Sequence, residues 1–370
     1  MKNTEDITSA FSSFFAHSNN IVGNEANYQT ILHNALTEEC EGSVYREYRD
    51  SRVGRGGIDV VMCNKTQEKL LAAFEIKGGA YNVRNALRDT FTVDGYCKDM
   101  DRLKGLVSNE TEAWMVCIDA TELGRVMSWK KLQGAIDHVR QRGIGLAYYA
   151  QGNDKFLVVQ PCGEKKSFTL KDVDLTGVDY DSVRNLITSE RIHDDLSQVR
   201  NSFNIEADIV AQMYRIFVNE GLSQKQISLE TYFGFAPGNG MQQRPDICIY
   251  EPRISGRFNL YPKGDSKQSN DPLKLQSVRC VIEVKGGLPL AKKSEKAIIK
   301  SYETDLAKLK EWKAVISKQQ RRLQIVSNSI DYILFAVDVR SVGLSPELIN
   351  EVREKAAENG IVFNYMHLPI

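Results

Sequence analysis

Asp59, Glu75 and Lys77 are the first residues of this chain whose types and spacing could do chemistry. Glu75 and Lys77 stand two apart in the apolar run LLAAFEIK, and residues two apart on a strand share a face. Asp59 lies in a second strand-like run, GIDVVMC. If the two strands are neighbours, two carboxylates and an ammonium converge at one spot. Two carboxylates suit a hard divalent cation such as Mg²⁺, which accepts one or two of them and keeps several waters. An ammonium beside the cation can orient or activate a water and neutralise phosphate charge. That is the equipment for hydrolysing a phosphodiester. A plain Glu–Lys ion pair is the competing explanation. However, burying both groups in apolar strands is costly unless they are paired or metal-bound, and the set occurs twice: Asp246, Glu283 and Lys285 stand in RPDICIY and VRCVIEVK.

The elements that must position these groups also come in two copies. FEIKGG (74–79) matches IEVKGG (282–287), and each is preceded by its Asp run. After each comes a helical segment, Tyr96-Cys-Lys-Asp99-Met-Asp-Arg-Leu-Lys104 or Tyr302-Glu-Thr-Asp305-Leu-Ala-Lys-Leu-Lys310, with Tyr, Asp, Leu and the last Lys at identical spacing. A core-strand run follows, WMVCIDA or YILFAVDV, with Asp119 and Asp338 at corresponding ends, then a helix and a closing apolar strand, GLAYYAQ or IVFNYMH. Upstream, Asn24-Glu25-Ala26-Asn27 parallels Ile205-Glu206-Ala207-Asp208, each opening an amphipathic helix. Elements repeated in the same order indicate a tandem duplication. The reading is a first domain over 1–165, an acidic connector over 166–199 with acids at 172, 174, 179, 181, 190, 194 and 195, and a second domain over 200–370. The first half adds a hairpin-like tail at 151–161 and the second a polar, loop-like insertion at about 252–277. Each half then reads as helix, strand, strand, helix, strand, helix, strand: an α/β fold (an α+β sandwich), a mixed central sheet flanked by helices.

Asp followed by Glu-x-Lys on the next strand resembles the PD-(D/E)xK nuclease superfamily, which includes many type II restriction endonucleases and Holliday-junction resolvases. The second copy has the literal Pro245-Asp246; the first has Ile58-Asp59 in its place, which leaves the ligand in position. The resemblance covers most of both halves. It implies two restriction-endonuclease-like domains, Mg²⁺ or Mn²⁺ as cofactor, Asp59, Glu75, Asp246 and Glu283 as metal ligands, and Lys77 and Lys285 as catalytic partners. It also implies a carboxylate from the first helix near the metal, for which Glu25 and Glu206 are the candidates; a helix-start acid favoured by the macrodipole is the alternative. The expected activity is metal-dependent cleavage of duplex DNA by two sites, in a monomeric pseudo-dimer or a homodimer, in restriction or another anti-phage defence. The alternatives are a structure-selective repair or recombination nuclease, or a non-catalytic nucleic-acid-binding protein that retains the fold. Lys104 and Lys310 either reach phosphate or belong to a solvated helix face. Tyr96 and Tyr302 are either core aromatics or hydrogen-bonding site residues.

Composition sets the remaining bounds. A length of 370 residues suits two domains. With 48 basic and 48 acidic side chains, a strong general coat for nucleic acid is not expected. Locally, residues 286–322 hold ten Lys or Arg against four acids, a candidate phosphate-contacting stretch. No run is long enough for a membrane span and the first thirty residues lack a signal peptide's pattern, so a cytoplasmic protein without membrane contact is expected. Seven cysteines without a CxxC pair argue against a disulfide framework or a cysteine zinc site, and five histidines show no metal-ligand spacing.

Overall fold

The computed structural model describes residues 2–53, 57–66, 69–78, 96–119, 128–188, 191–199, 203–231, 233, 244–258, 272–326 and 328–369. The chain divides into two compact units, Met1–Leu175 and Thr176–Ile370. Each is a mixed sheet flanked by helices.

The first unit opens with α1 (Lys2–Ser18) and α2 (Glu25–Glu39), followed by β1 (Ser43–Tyr48), β2 (Ile58–Cys63) and β3 (Leu70–Lys77). After α3 (Tyr96–Lys104) come β4 (Glu112–Asp119), α4 (Trp129–Arg142), β5 (Gly145–Ala150), β6 (Lys155–Val159) and β7 (Lys165–Thr169). The seven strands lie side by side in chain order. β3, β4 and β5 run parallel and the outer pairs antiparallel. A parallel centre must be covered on both faces, and alternation along the strands supplies both covers. One face of β3 and β4 presents Phe74 and Trp114 to Phe11 of α1, with ring centroids 6.1 and 5.2 Å away. The other presents Ala73, Met115 and Cys117 to Met100 and Leu103 of α3 and to Leu132, Ile136 and Val139 of α4. The expected tail at 151–161 is a hairpin that runs on to Thr169, pairing Val159 with Lys165.

The second unit contains α5 (Tyr180–Thr188), α6 (Arg191–Gln198), α7 (Glu206–Asn219), β8 (Ile227–Leu229), β9 (Ile247–Tyr250) and β10 (Val278–Gly286). It continues with α8 (Glu295–Arg322), β11 (Asp331–Asp338), α9 (Pro346–Glu358) and β12 (Val362–His367). Its five strands keep the arrangement of β1 to β5: two antiparallel pairings, β8–β9 and β9–β10, then the parallel set β10, β11, β12. The long α8 starts at Ser294, whose Oγ accepts from the Ala297 amide at 3.4 Å, and ends on Arg321 and Arg322, whose charges suit the negative end of the helix dipole.

Local detail repeats with the topology. The Asp119 carboxylate at the end of β4 accepts from the Tyr148 hydroxyl at 2.8 Å, and Asp338 at the end of β11 accepts from Tyr365 at 2.7 Å. The backbone opposite Asp59 and Asp246 is also shared. Glu47 (φ 49°) and Glu230 (φ 46°) both adopt the left-handed conformation that glutamate avoids.

Two expectations need correction or refinement. The stretch 166–199 is not a separate connector: 165–169 is the edge strand β7, and α5 and α6 belong to the second unit. There Tyr180, Val183, Leu186, Ile187, Ile192 and Leu196 are buried at helical spacing. The acidic composition masked two amphipathic helices, and the boundary falls between 175 and 176. The insertion at 252–277 is ordered at both ends, where Ile254, Phe258 and Leu275 are buried and Arg253 Nε donates to Ser277 Oγ at 3.1 Å; 259–271 lies outside the described residues. Among the described residues, no helix is long and apolar enough to cross a membrane.

Candidate active sites

In the first unit the expected residues meet where the paired β2 and β3 end against α2 and α3. Asp59 accepts at Oδ2 from the Ile76 amide at 2.7 Å and at Oδ1 from Gln29 Nε2 at 3.0 Å. Glu75 and Lys77 point to the same side of β3, with Lys77 Nζ 3.8 Å from Glu75 Oε2. The same ammonium lies 3.5 Å from Glu25 Oε1 and 3.0 Å from Asp99 Oδ2. Arg102 closes the cluster, donating to Glu75 Oε1 at 2.7 Å and to Asp99 Oδ1 at 3.3 Å.

The second unit repeats the cluster. Asp246, immediately ahead of β9, accepts from the Val284 amide at 2.6 Å. Lys285 Nζ lies 3.0 Å from Glu206 Oε2 and 3.2 Å from Asp305 Oδ2. Lys308 lies 3.7 Å from Glu283 Oε2 and 2.8 Å from Asp305 Oδ1. The first glycine of each Gly-Gly pair has a packing reason. A Cβ on Gly286 would stand 2.6 Å from Ile209 Cδ1 and 2.7 Å from the Val337 carbonyl; one on Gly78 would stand 3.2 Å from Ile118 Cβ. Glycine thus lets the helix carrying Glu206 approach the strand carrying Lys285. Gly79 lies outside the described residues.

Among the described residues, each cluster sets four carboxylates against two cations. Glu25, Asp59, Glu75 and Asp99 face Lys77 and Arg102; Glu206, Asp246, Glu283 and Asp305 face Lys285 and Lys308. The deficit appears as raised proton affinity. Burial, then the charge of Asp59, pushes Glu75 up to about 9. Burial pushes Glu25 up to about 7 against the pull of Lys77. Burial and the Glu206 charge push Asp246 up to about 7, and burial and Asp246 hold Glu283 well above the carboxylate range. Burial also raises Asp59 and Glu206, each opposed by its lysine. For Lys77 and Lys285 burial works against the charge, but the surrounding carboxylates outweigh it and both are held firmly protonated.

A divalent cation matches what is missing. It would supply the two positive charges each cluster lacks, at the pairs Asp59–Glu75 and Asp246–Glu283. The buried Oε1 of Glu283 has no hydrogen-bond partner, so it is a lone pair available to such an ion. Two carboxylates with water completing the shell is a donor set Mg²⁺ accepts. Among the described residues no three His, Cys, Asp or Glu side chains converge closely enough to hold a metal by themselves. Glu25 and Glu206, expected as further ligands, lie against Lys77 and Lys285 and within electrostatic reach of Asp59 and Asp246.

Sequence reasoning missed Arg102 and Lys308. They stand three residues after Asp99 and Asp305 in the repeated helix, on the face of the Asp, so the signal was present as a basic residue at equal spacing in both copies. The lysines weighed instead, Lys104 and Lys310, are exposed. Tyr302 is a core aromatic, 5.6 Å from the ring of Phe363; the side chain of Tyr96 lies outside the described side chains.

No protein-family model matches the chain, and no curated protein matches it.

Proposed function

We propose that each unit is a divalent-cation-dependent phosphodiesterase site of the PD-(D/E)xK kind, with duplex DNA as substrate and Mg²⁺ or Mn²⁺ as cofactor. The observation that carries this reading is the duplicated cluster of four carboxylates around two cations, with an Asp accepting from the strand that bears Glu and Lys. Asp59 with Glu75, and Asp246 with Glu283, would hold the ion. When bound, the ion polarises a phosphoryl oxygen and makes a water nucleophilic at neutral pH. To hold the ion, Glu75 and Glu283 would give up the proton that burial otherwise lets them keep.

The protein's own groups do the rest. Lys77 is pinned by Glu25 and Asp99, and Lys285 by Glu206 and Asp305, so neither ammonium wanders. Each can donate a hydrogen bond to an attacking water and offset charge growing on the phosphate. Arg102 and Lys308 neutralise Asp99 and Asp305, the helix carboxylates that pin the two lysines. The exposed Lys292, Lys293, Lys296 and Lys300, between β10 and the first turns of α8, give the second unit a basic margin suited to phosphates.

Plasmid cleavage with Mg²⁺ tests the reading, comparing the native chain with Lys77→Ala, Lys285→Ala and the double variant. Linearisation by the native chain and nicking by each single variant is the expected result. Loss of activity in only one variant would leave a single working site. Intact plasmid in every lane would remove duplex DNA as the substrate.

A further inference from the structure

The two clusters differ in what stands behind the Asp. In the first unit, Gln29 Nε2 donates to Asp59 Oδ1 at 3.0 Å, and Arg46 donates to Gln29 Oε1 at 2.9 Å. The Arg46 bond decides which end of the Gln29 amide faces Asp59: with the oxygen taken, the NH₂ must point to the carboxylate. Asp59 therefore receives a donor on each oxygen. Arg46 and Gln29 are both buried, 2% and 8% exposed. A guanidinium is costly to bury, so a charge enclosed behind the Asp is a specific feature of this half.

The corresponding positions in the second unit follow from register. Gln29 is four residues into α2 from Glu25, and Val210 is four into α7 from Glu206. Arg46 pairs with Val60, the residue after Asp59, and Leu229 pairs with Ile247, the residue after Asp246. The next residue is in each case the left-handed glutamate, Glu47 or Glu230, which fixes the correspondence. Val210 and Leu229 are buried and apolar. Asp246 accepts from the Val284 amide and meets the Glu283 carboxyl, as Asp59 meets Ile76 and Glu75, but neither Val210 nor Leu229 can add the further donor that Gln29 gives Asp59.

We propose that Gln29, oriented by Arg46, is a positioning residue that makes the first unit the tighter of two non-equivalent divalent-cation sites. The inference rests on the phosphodiesterase reading above. A ligand carboxylate locked in one orientation binds without first being ordered, and loss of such an outer hydrogen bond typically weakens metal affinity about 10–100-fold. Val210 and Leu229 give the second site no such lock.

The test is Mn²⁺ titration of the full chain, followed by the electron-paramagnetic-resonance signal of the free ion. Asp246→Asn leaves only the first site and Asp59→Asn only the second. The expected result is that Asp246→Asn binds its ion roughly 10–100-fold more tightly than Asp59→Asn. Adding Gln29→Val to Asp246→Asn should bring its affinity down to that of Asp59→Asn, with circular dichroism unchanged. Arg46→Leu in the same background should do likewise, and serves if the valine variant does not fold. Equal affinities that neither substitution alters would overturn the positioning role and leave the cation reading standing. Absence of Mn²⁺ binding in both Asp variants would overturn the two together.

Discussion

Glu75→Gln should stabilise the first unit at alkaline pH while removing its response to metal. In the folded chain, burial and Asp59 raise the Glu75 carboxyl to about 9, from the ordinary 4.5. A carboxyl raised on folding lends its stability below its unfolded value and loses it as pH climbs through the folded one. Without metal, the first unit should therefore lose about 1.4 kcal/mol per pH unit between pH 6 and 8 from this group alone. At pH 8 the proton held by Glu75 costs up to about 5 kcal/mol, three and a half pH units at that slope. Glutamine removes that cost and its amide oxygen can still accept from Arg102 (2.7 Å), but Arg102 is 27% exposed and the replacement is imperfect, so we expect a net gain of about 2–3 kcal/mol. The assay is urea unfolding in chelator at pH 6, 7 and 8. A Trp312→Phe background leaves Trp114 and Trp129, both in the first unit, as reporters. Added Mg²⁺ should stabilise the parent by about 2.7 kcal/mol at one hundred times its dissociation constant and leave the Gln variant's first unit unmoved. A parent whose stability is flat from pH 6 to 8, with a Gln variant no more stable, would show that the cluster is not starved of positive charge. The argument for a cation would then fall.

Other substitutions probe the scaffold. Gly286→Ala should destabilise the second unit by about 1–3 kcal/mol, because its methyl meets Ile209 and the Val337 carbonyl under 3.0 Å; Mn²⁺ binding at the first site should survive, and loss at both would refute the independence of the sites. Glu47→Gly should add roughly 0.5–1 kcal/mol, since glycine relieves about 1–2 kcal/mol of left-handed strain and returns part of it as unfolded-chain entropy. A thermal melt that falls instead would show that the exposed Glu47 side chain has work to do.

The two halves and both Asp, Glu and Lys sets were legible because strand periodicity and a doubled motif are local signals. Their convergence also followed, since Asp59 and Asp246 each accept from the amide between the Glu and the Lys. The helices α5 and α6 were hidden because seven acids spread over 172–195 set the character of the stretch, while the six apolar anchors fall singly or in pairs along two short helices. Arg102 and Lys308 escaped because the charge is shared while the residue type is not. Gln29 and Arg46 were illegible for a different reason. Their meaning lies in a contact between a helix and an edge strand seventeen residues apart, which no spacing rule encodes.

The left-handed glutamates also act as pivots. A strained backbone at a glutamate persists only where the surrounding structure insists on it, and here it is held at one register position in both units, opposite Asp59 and Asp246. Glu47 and Glu230 therefore act as fixed points of the scaffold, each turning the neighbouring strand at the level of the Asp. Arg46 and Gln29 in one unit, and Leu229 and Val210 in the other, are free to differ around that pivot because the bend itself does not depend on them.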